Sequence, residues 1–97
     1  MQAAPDISDF YSLKLYVTGV SLNSMKAINN IKELCEKYLK DNYVLEIIDI
    51  YQQPLLAGQD QIIALPMLIK SSPLPVKRLI GNMSDSHRVL KAFDLAH

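Results

Sequence analysis

Hydrophobic and polar positions along the chain fall into seven segments. Leu13, Leu15 and Val17 alternate with polar or amphipathic neighbours, a period of two that predicts a strand with those three on one face, ended by Thr18-Gly19. Met25, Ile28, Ile31, Leu34, Cys35, Tyr38 and Leu39 then recur at spacings of three and four. That spacing predicts an amphipathic helix of about four turns. Ser21, Asn23 and Ser24 are candidate caps for it, Lys37 and Lys40 suit its last turn, and Asp41-Asn42 breaks it. Tyr43–Ile50 is a strand interrupted only by Glu46 and Asp49; apolar on both faces, it is expected in the middle of a covered sheet. This strand–helix–strand opening implies a parallel pair with a right-handed crossover.

The second half is less decisive. Pro54 can start a short helix over Leu55–Gln61, which Gly58 weakens. The run Ile62–Ile69 suits helix and strand about equally, but Pro66 pushes Leu65 to an extended conformation, so a strand is expected over Met67–Lys70. Ser71–Pro75 reads as a turn, Val76–Ile80 as a short strand forming an antiparallel hairpin with Met67–Lys70, and Gly81-Asn82 as another turn. Ser84 is the expected cap of a last helix whose buried face is Val89, Leu90 and Phe93. The order β-α-β-α-β-β-α is the thioredoxin arrangement, a single α/β domain over residues 1–97 preceded by a loose polar tail up to Phe10.

Composition narrows the function classes. A chain of 97 residues is one domain. Ten basic and ten acidic residues give a formal net charge of zero, so no global field draws in nucleic acid, and self-association meets no charge barrier. Without a signal-like N-terminus or an apolar run of about 20 residues, no membrane role is expected and the location expected is the cytoplasm. The single cysteine, Cys35, rules out an internal disulfide.

The chain offers few groups for chemistry. A thioredoxin-like redox site needs sulfur at the start of the first helix, where the helix N-terminus stabilises a thiolate. Ser21-Leu22-Asn23-Ser24 stands there, so dithiol exchange is excluded. Cys35, near the other end of that helix, is either a small core residue or a redox sensor. His87 and His97 belong to no cluster with metal-ligand spacing, so no catalytic residue, metal site or cofactor is expected. Lys77, Arg78 and Arg88 are either a solvated basic surface or a small anion patch, and Pro66 is either a cis proline facing the active-site end or a trans residue at a strand edge.

Several segments together resemble the KaiB family of the bacterial circadian clock. Leu13–Gly19 with Asn23-Ser24 is similar to the family's opening, and Asp49, Pro54, Leu56-Ala57 and Asp60 to its middle. Ala64-Leu65-Pro66 and Pro73-Leu74-Pro75-Val76-Lys77-Arg78-Leu79-Ile80-Gly81 are similar to its later motifs, and the resemblance runs from Leu13 to Leu95 without gaps. It implies a non-enzymatic adaptor that binds a KaiC-like ATPase ring, with a KaiA-like protein captured or a SasA-like histidine kinase displaced. It also implies a homo-oligomer, dimer or tetramer, and a metamorphic domain whose partner-bound form has the order above while the free form is β-α-β-β-α-α-β. The residues so implied to face partners are Lys26, Tyr51, Gln52, Pro54, Leu55 and Pro66. Pro66, Pro73, Pro75, Gly81 and Asn82 are the implied hinges of the switch. The indecisive second half gives such a switch a physical basis, because two packings of it can lie within a few kcal/mol. Gln52, Gly58-Gln59, Gln61 and Asn82 depart from the charged residues usual in the family, and its acidic tail is absent. These departures point to an altered partner contact and a homologue outside the oscillating clocks, with a stress or signalling role. The alternatives are a thioredoxin-like single-cysteine redox protein and a purely structural oligomerisation module.

Overall fold

The structure is a computed structural model that describes residues 10–19, 21–62 and 64–95. Most of the expected tail, Ile63 within the ambiguous run, and His97 lie outside the described residues. The elements are β1 (Tyr11–Val17), α1 (Leu22–Leu34) continuing as a π-helical turn (Cys35–Leu39), β2 (Tyr43–Asp49), α2 (Pro54–Gln59), β3 (Met67–Ser72), β4 (Lys77–Ile80) and α3 (Ser86–Ala92). The order is the one the pattern predicts.

They build one four-stranded sheet in the order β2-β1-β3-β4. β1 pairs parallel with β2, Leu13 opposite Leu45, and antiparallel with β3, Lys14 opposite Ile69. β3 and β4 form the expected hairpin, Met67 opposite Ile80. β2 is therefore an edge strand rather than a central one. Its apolar residues on the second face misled the pattern, because that face is covered at one end only: Ile48 is buried, while Val44 and Glu46 are exposed.

α1 and α3 cover one face of the sheet and α2 the other. The larger cluster joins Leu13, Leu15 and Val17 to Ala27, Ile31 and Cys35 of the first helix and to Val89 and Phe93 of the last. The smaller cluster, Tyr16, Ile48, Met67 and Ile69, lies beneath Leu56 and Ala57. The expected stripe of the first helix is largely buried, at Ile31, Leu34, Cys35 and Leu39 with Ile28 against them, but Ser24 and Ala27 join it, while Met25 and, in the π-helical turn, Tyr38 face out. An apolar side chain at helical spacing need not be core, since folded surfaces carry many apolar atoms.

The helix caps follow the same chemistry with one shift. Ser21 caps α1, accepting from the Ser24 N–H. α3 is capped by Asp85 rather than Ser84; the Asp85 carboxylate accepts from the Arg88 N–H, and an acid at this position also suits the helix dipole. The turn between β3 and β4 closes over Lys70, a residue 1% exposed whose ammonium donates to the carbonyls of Pro73 and Pro75. The bonds preceding Pro66, Pro73 and Pro75 are all cis. Among the described residues no helix is long and apolar enough to cross a membrane.

Candidate functional site

The parallel strands β1 and β2 end at the same edge of the sheet, where α1 begins and the β2–α2 loop turns. Ligands of open α/β sheets gather at such carboxyl ends. Here the start of α1 is closed by hydroxyls. Thr18 donates its N–H to Ser24 Oγ at 3.0 Å, and Ser24 Oγ lies 2.8 Å from Ser21 Oγ. Ser24 is fully buried. Cys35 stands fourteen residues beyond Ser21, about 20 Å along the helix at 1.5 Å per residue. It is buried, and burial together with the neighbouring Glu36 pushes its thiol up to about 12. A neutral, enclosed thiol is a poor nucleophile, so the core-residue reading of Cys35 fits and the redox reading gains nothing.

The β2–α2 loop is held by Asp49. Its Oδ1 accepts from the Tyr51 N–H at 2.9 Å, and its carbonyl accepts from Gln52 and Gln53 at 3.0 and 2.9 Å. A loop tied at its root can present its side chains outward at low entropic cost. Tyr51 is 76% exposed and Leu55 82%, with Gln52 and Pro54 exposed between them. A Cβ added at Gly19 would lie 3.9 Å from Asp49 Oδ2, so the β1–α1 loop runs beside the root of this one. α1 then adds exposed Leu22 (68%), Met25 (51%) and Lys26. The pattern gives Leu22 no role and places Met25 on the apolar stripe, because an exposed apolar residue leaves no mark that separates it from a buried one.

Pro66 takes the cis form of the first of its two expected readings. It is buried immediately before β3, with its carbonyl accepting from the Gly81 N–H at 3.0 Å. Its ring therefore forms no part of an exposed contact; it joins the start of β3 to the end of β4. Of the other expected hinges, Pro73 and Pro75 lie between β3 and β4, and Gly81, with φ of 119°, and Asn82 follow β4. The Asn82 carbonyl accepts from the Asn30 side chain at 2.9 Å, which ties this corner to α1.

Beneath α2, polar groups converge on Asp60. The Tyr16 hydroxyl lies 2.5 Å from Asp60 Oδ2, and Lys14 Nζ lies 3.3 Å from the same oxygen. The hydrogen bond from Tyr16 is the main reason the Asp60 carboxyl is held below its ordinary value, helped by Lys14 and Arg78 and opposed by burial. Burial first, and Asp60 second, push the Tyr16 hydroxyl above the ordinary tyrosine range. Arg78 donates to the Asp60 carbonyl at 2.6 Å, while Arg88 donates to the Ile80 carbonyl at 3.2 Å. Both arginines thus serve backbone carbonyls, which suits the reading of a solvated basic surface. His87 is an exposed residue of α3. Among the described residues no group of three or more His, Cys, Asp or Glu could hold a metal ion.

Comparison with known proteins bears on this geometry. A family model described as the KaiB domain matches residues 14–95. The circadian clock oscillator protein KaiB of Prochlorococcus marinus subsp. pastoris is 49% identical over 85 residues, 88% of this chain and 79% of that one. The protein of the same description from a Synechococcus species is 45% identical over 87 residues, 90% of this chain and 73% of that one. Among solved structures, the N-terminal domain of Synechococcus elongatus SasA superposes with a TM-score of 0.72 at 17% identity, covering 98% of this chain and 90% of that one. A chloroplastic thioredoxin z superposes at 0.74 with 13% identity, covering 90% and 79%. These two likenesses concern the fold alone.

Proposed function

The chain belongs to the KaiB family, and from that premise we propose that it is a non-enzymatic regulatory adaptor of a clock system, binding a KaiC-type ATPase ring through the end of the sheet where β1 and β2 terminate. The observation that carries this reading is the pairing of a hydroxyl-closed α1 start with a rooted, exposed loop bearing Tyr51 and Leu55. Where a redox thioredoxin would present sulfur to a substrate, this chain presents apolar and aromatic surface, the composition of interface anchors.

Tyr51, Gln52, Pro54, Leu55 and Lys26 are the proposed contacts, with Leu22 and Met25 beside them; Pro66 acts from within, by holding the corner. A SasA-type sensor domain, similar in fold, would compete with this chain for the ATPase, and a KaiA-like protein is a further candidate partner. The proposal includes a homo-oligomeric free state, dimer or tetramer, and a C-terminal half that rearranges about Pro66, Pro73, Pro75, Gly81 and Asn82. That the relatives are named as clock oscillator proteins favours clock regulation over a stress role. Gln52, Gly58, Gln59 and Gln61 are exposed and uncharged, so the contact leans on apolar burial.

The test is co-elution with the KaiC-type ATPase of the same organism, with ATP, after long incubation. The wild type is expected to form a complex. Tyr51→Ala and Leu55→Ser are each expected to weaken it by roughly 1–2 kcal/mol, with unchanged circular dichroism. Raising salt from 50 to 300 mM should change the affinity little, since few exposed charges are engaged. Absence of any complex with the wild type would sink the proposal.

A further inference from the structure

α2 has little of its own to hold it in place. It is six residues long, contains Gly58, has no side-chain cap at Gln53 and includes no buried residue. A helix this short does not persist alone in water. Its underside gives only Leu56 and Ala57 to the smaller apolar cluster. The remaining restraints are polar, and they meet at Asp60, the residue that ends the helix. Tyr16 and Lys14 reach its carboxylate from β1 at the centre of the sheet. Arg78 reaches its carbonyl at 2.6 Å from β4 at the edge, with a second guanidinium nitrogen 3.4 Å from the Gln61 carbonyl. The Tyr16 hydroxyl also lies 3.2 Å from the Leu56 carbonyl, one turn back along α2.

We infer that Asp60 is a latch that fixes the pose of α2, and through it of Leu55 and the loop bearing Tyr51, and that Tyr16 and Arg78 are positioning residues for this surface. The value of the latch to binding rests on reading that surface as partner-facing; its mechanical part does not. A loop ordered in advance loses less conformational freedom when a partner arrives. Because Arg78 belongs to β4, the pose of α2 depends on the C-terminal hairpin being in place.

The charged and titratable groups around the latch are Lys14 and Tyr16 on β1, Glu46 on β2, which acts on Tyr16, and Arg78 on β4. The folded carboxyl of Asp60 is lowered, so the contribution of the latch is complete above the ordinary carboxylate value of about 4 and is lost as pH falls through the lower folded one.

The experiment is amide hydrogen exchange on the full chain without partner, comparing wild type with Asp60→Asn, Arg78→Gln and Arg78→Lys. The Asp60 and Ile62 amides, which bond to Leu56 and Ala57 carbonyls, report on α2. They are expected to exchange about tenfold faster in Asp60→Asn and Arg78→Gln, the loss of about one hydrogen bond's worth of protection. Ile31 in α1 and Leu15 in β1 should keep theirs, and Arg78→Lys, which keeps the charge but not the two-point reach, should be intermediate. Equal acceleration in every element, or none in α2, overturns the latch. The same variants should lower affinity for the KaiC-type ATPase by a similar factor. If the wild type binds no such ATPase, the function proposed above falls, while the exchange result still decides the latch.

Discussion

Ser24 and Cys35 sit on the same buried side of the first helix and show how position decides what a small polar side chain can do. Ser24 spends its hydroxyl on the Thr18 N–H and on Ser21, so the start of α1 is satisfied without an ionisable group. Cys35 is enclosed, with its thiol favoured in the neutral form. Native-state alkylation of Cys35 should therefore be far slower than in denaturant, and labelling at the rate of an exposed thiol would contradict the burial. The sign of its linkage follows from a raised folded value. The stability that the buried neutral thiol contributes is complete below its ordinary value near 9 and declines as pH rises toward about 12. The thermal midpoint of wild type should accordingly fall more steeply above pH 9 than that of Cys35→Ala.

At the level of elements, local signals were read well and lateral ones poorly. Pro66 placed the start of β3, Pro54 the start of α2, and the alternation of Leu13, Leu15 and Val17 the inner face of β1, because each signal acts within a few residues. The position of β2 was not legible. Whether Val44 and Ile48 are covered depends on how far the short α2 extends across that face, and no spacing within β2 records it. The Asp60 junction was hidden for a similar reason: its partners Tyr16 and Arg78 lie 44 and 18 residues away. Of the residues proposed to face partners, those of the exposed loop were legible through family resemblance, whereas the burial of Pro66 depends on how β3 and β4 pack and leaves no local mark. The cap of α1 offers an element-scale check. Ser21→Ala should cost about 1 kcal/mol in urea unfolding, and no loss at all would mean that water takes over the orphaned Ser24 N–H.

Across the whole molecule, the two faces of the sheet are unequal. The α1–α3 side holds the larger cluster, including Leu15, fully buried on the central strand; the α2 side holds Tyr16, Ile48, Met67 and Ile69 under a thin cover. Leu15→Ala should cost about 2–5 kcal/mol, a large share of the roughly 5–15 kcal/mol that holds a small domain together. Ile48→Ala, under the thinner cover, should cost less than Leu15→Ala by chemical denaturation, within the same range of about 2–5 kcal/mol. A larger cost for Ile48→Ala would reverse this ranking of the two clusters. The asymmetry means that the α1–α3 side gives the molecule most of its apolar burial, while the α2 side is held by a smaller cluster and by the polar contacts of Asp60. The C-terminal hairpin serves both, through Leu68 in the larger cluster and Arg78 beneath α2. Within that hairpin, Lys70 is sealed by the turn its own ammonium supports. Exposed amines acylate readily, so a lysine-directed reagent would mark Lys26 and Lys77 first and Lys70 last. The slow appearance of that one mark would be a covalent tally of how often the hairpin comes apart.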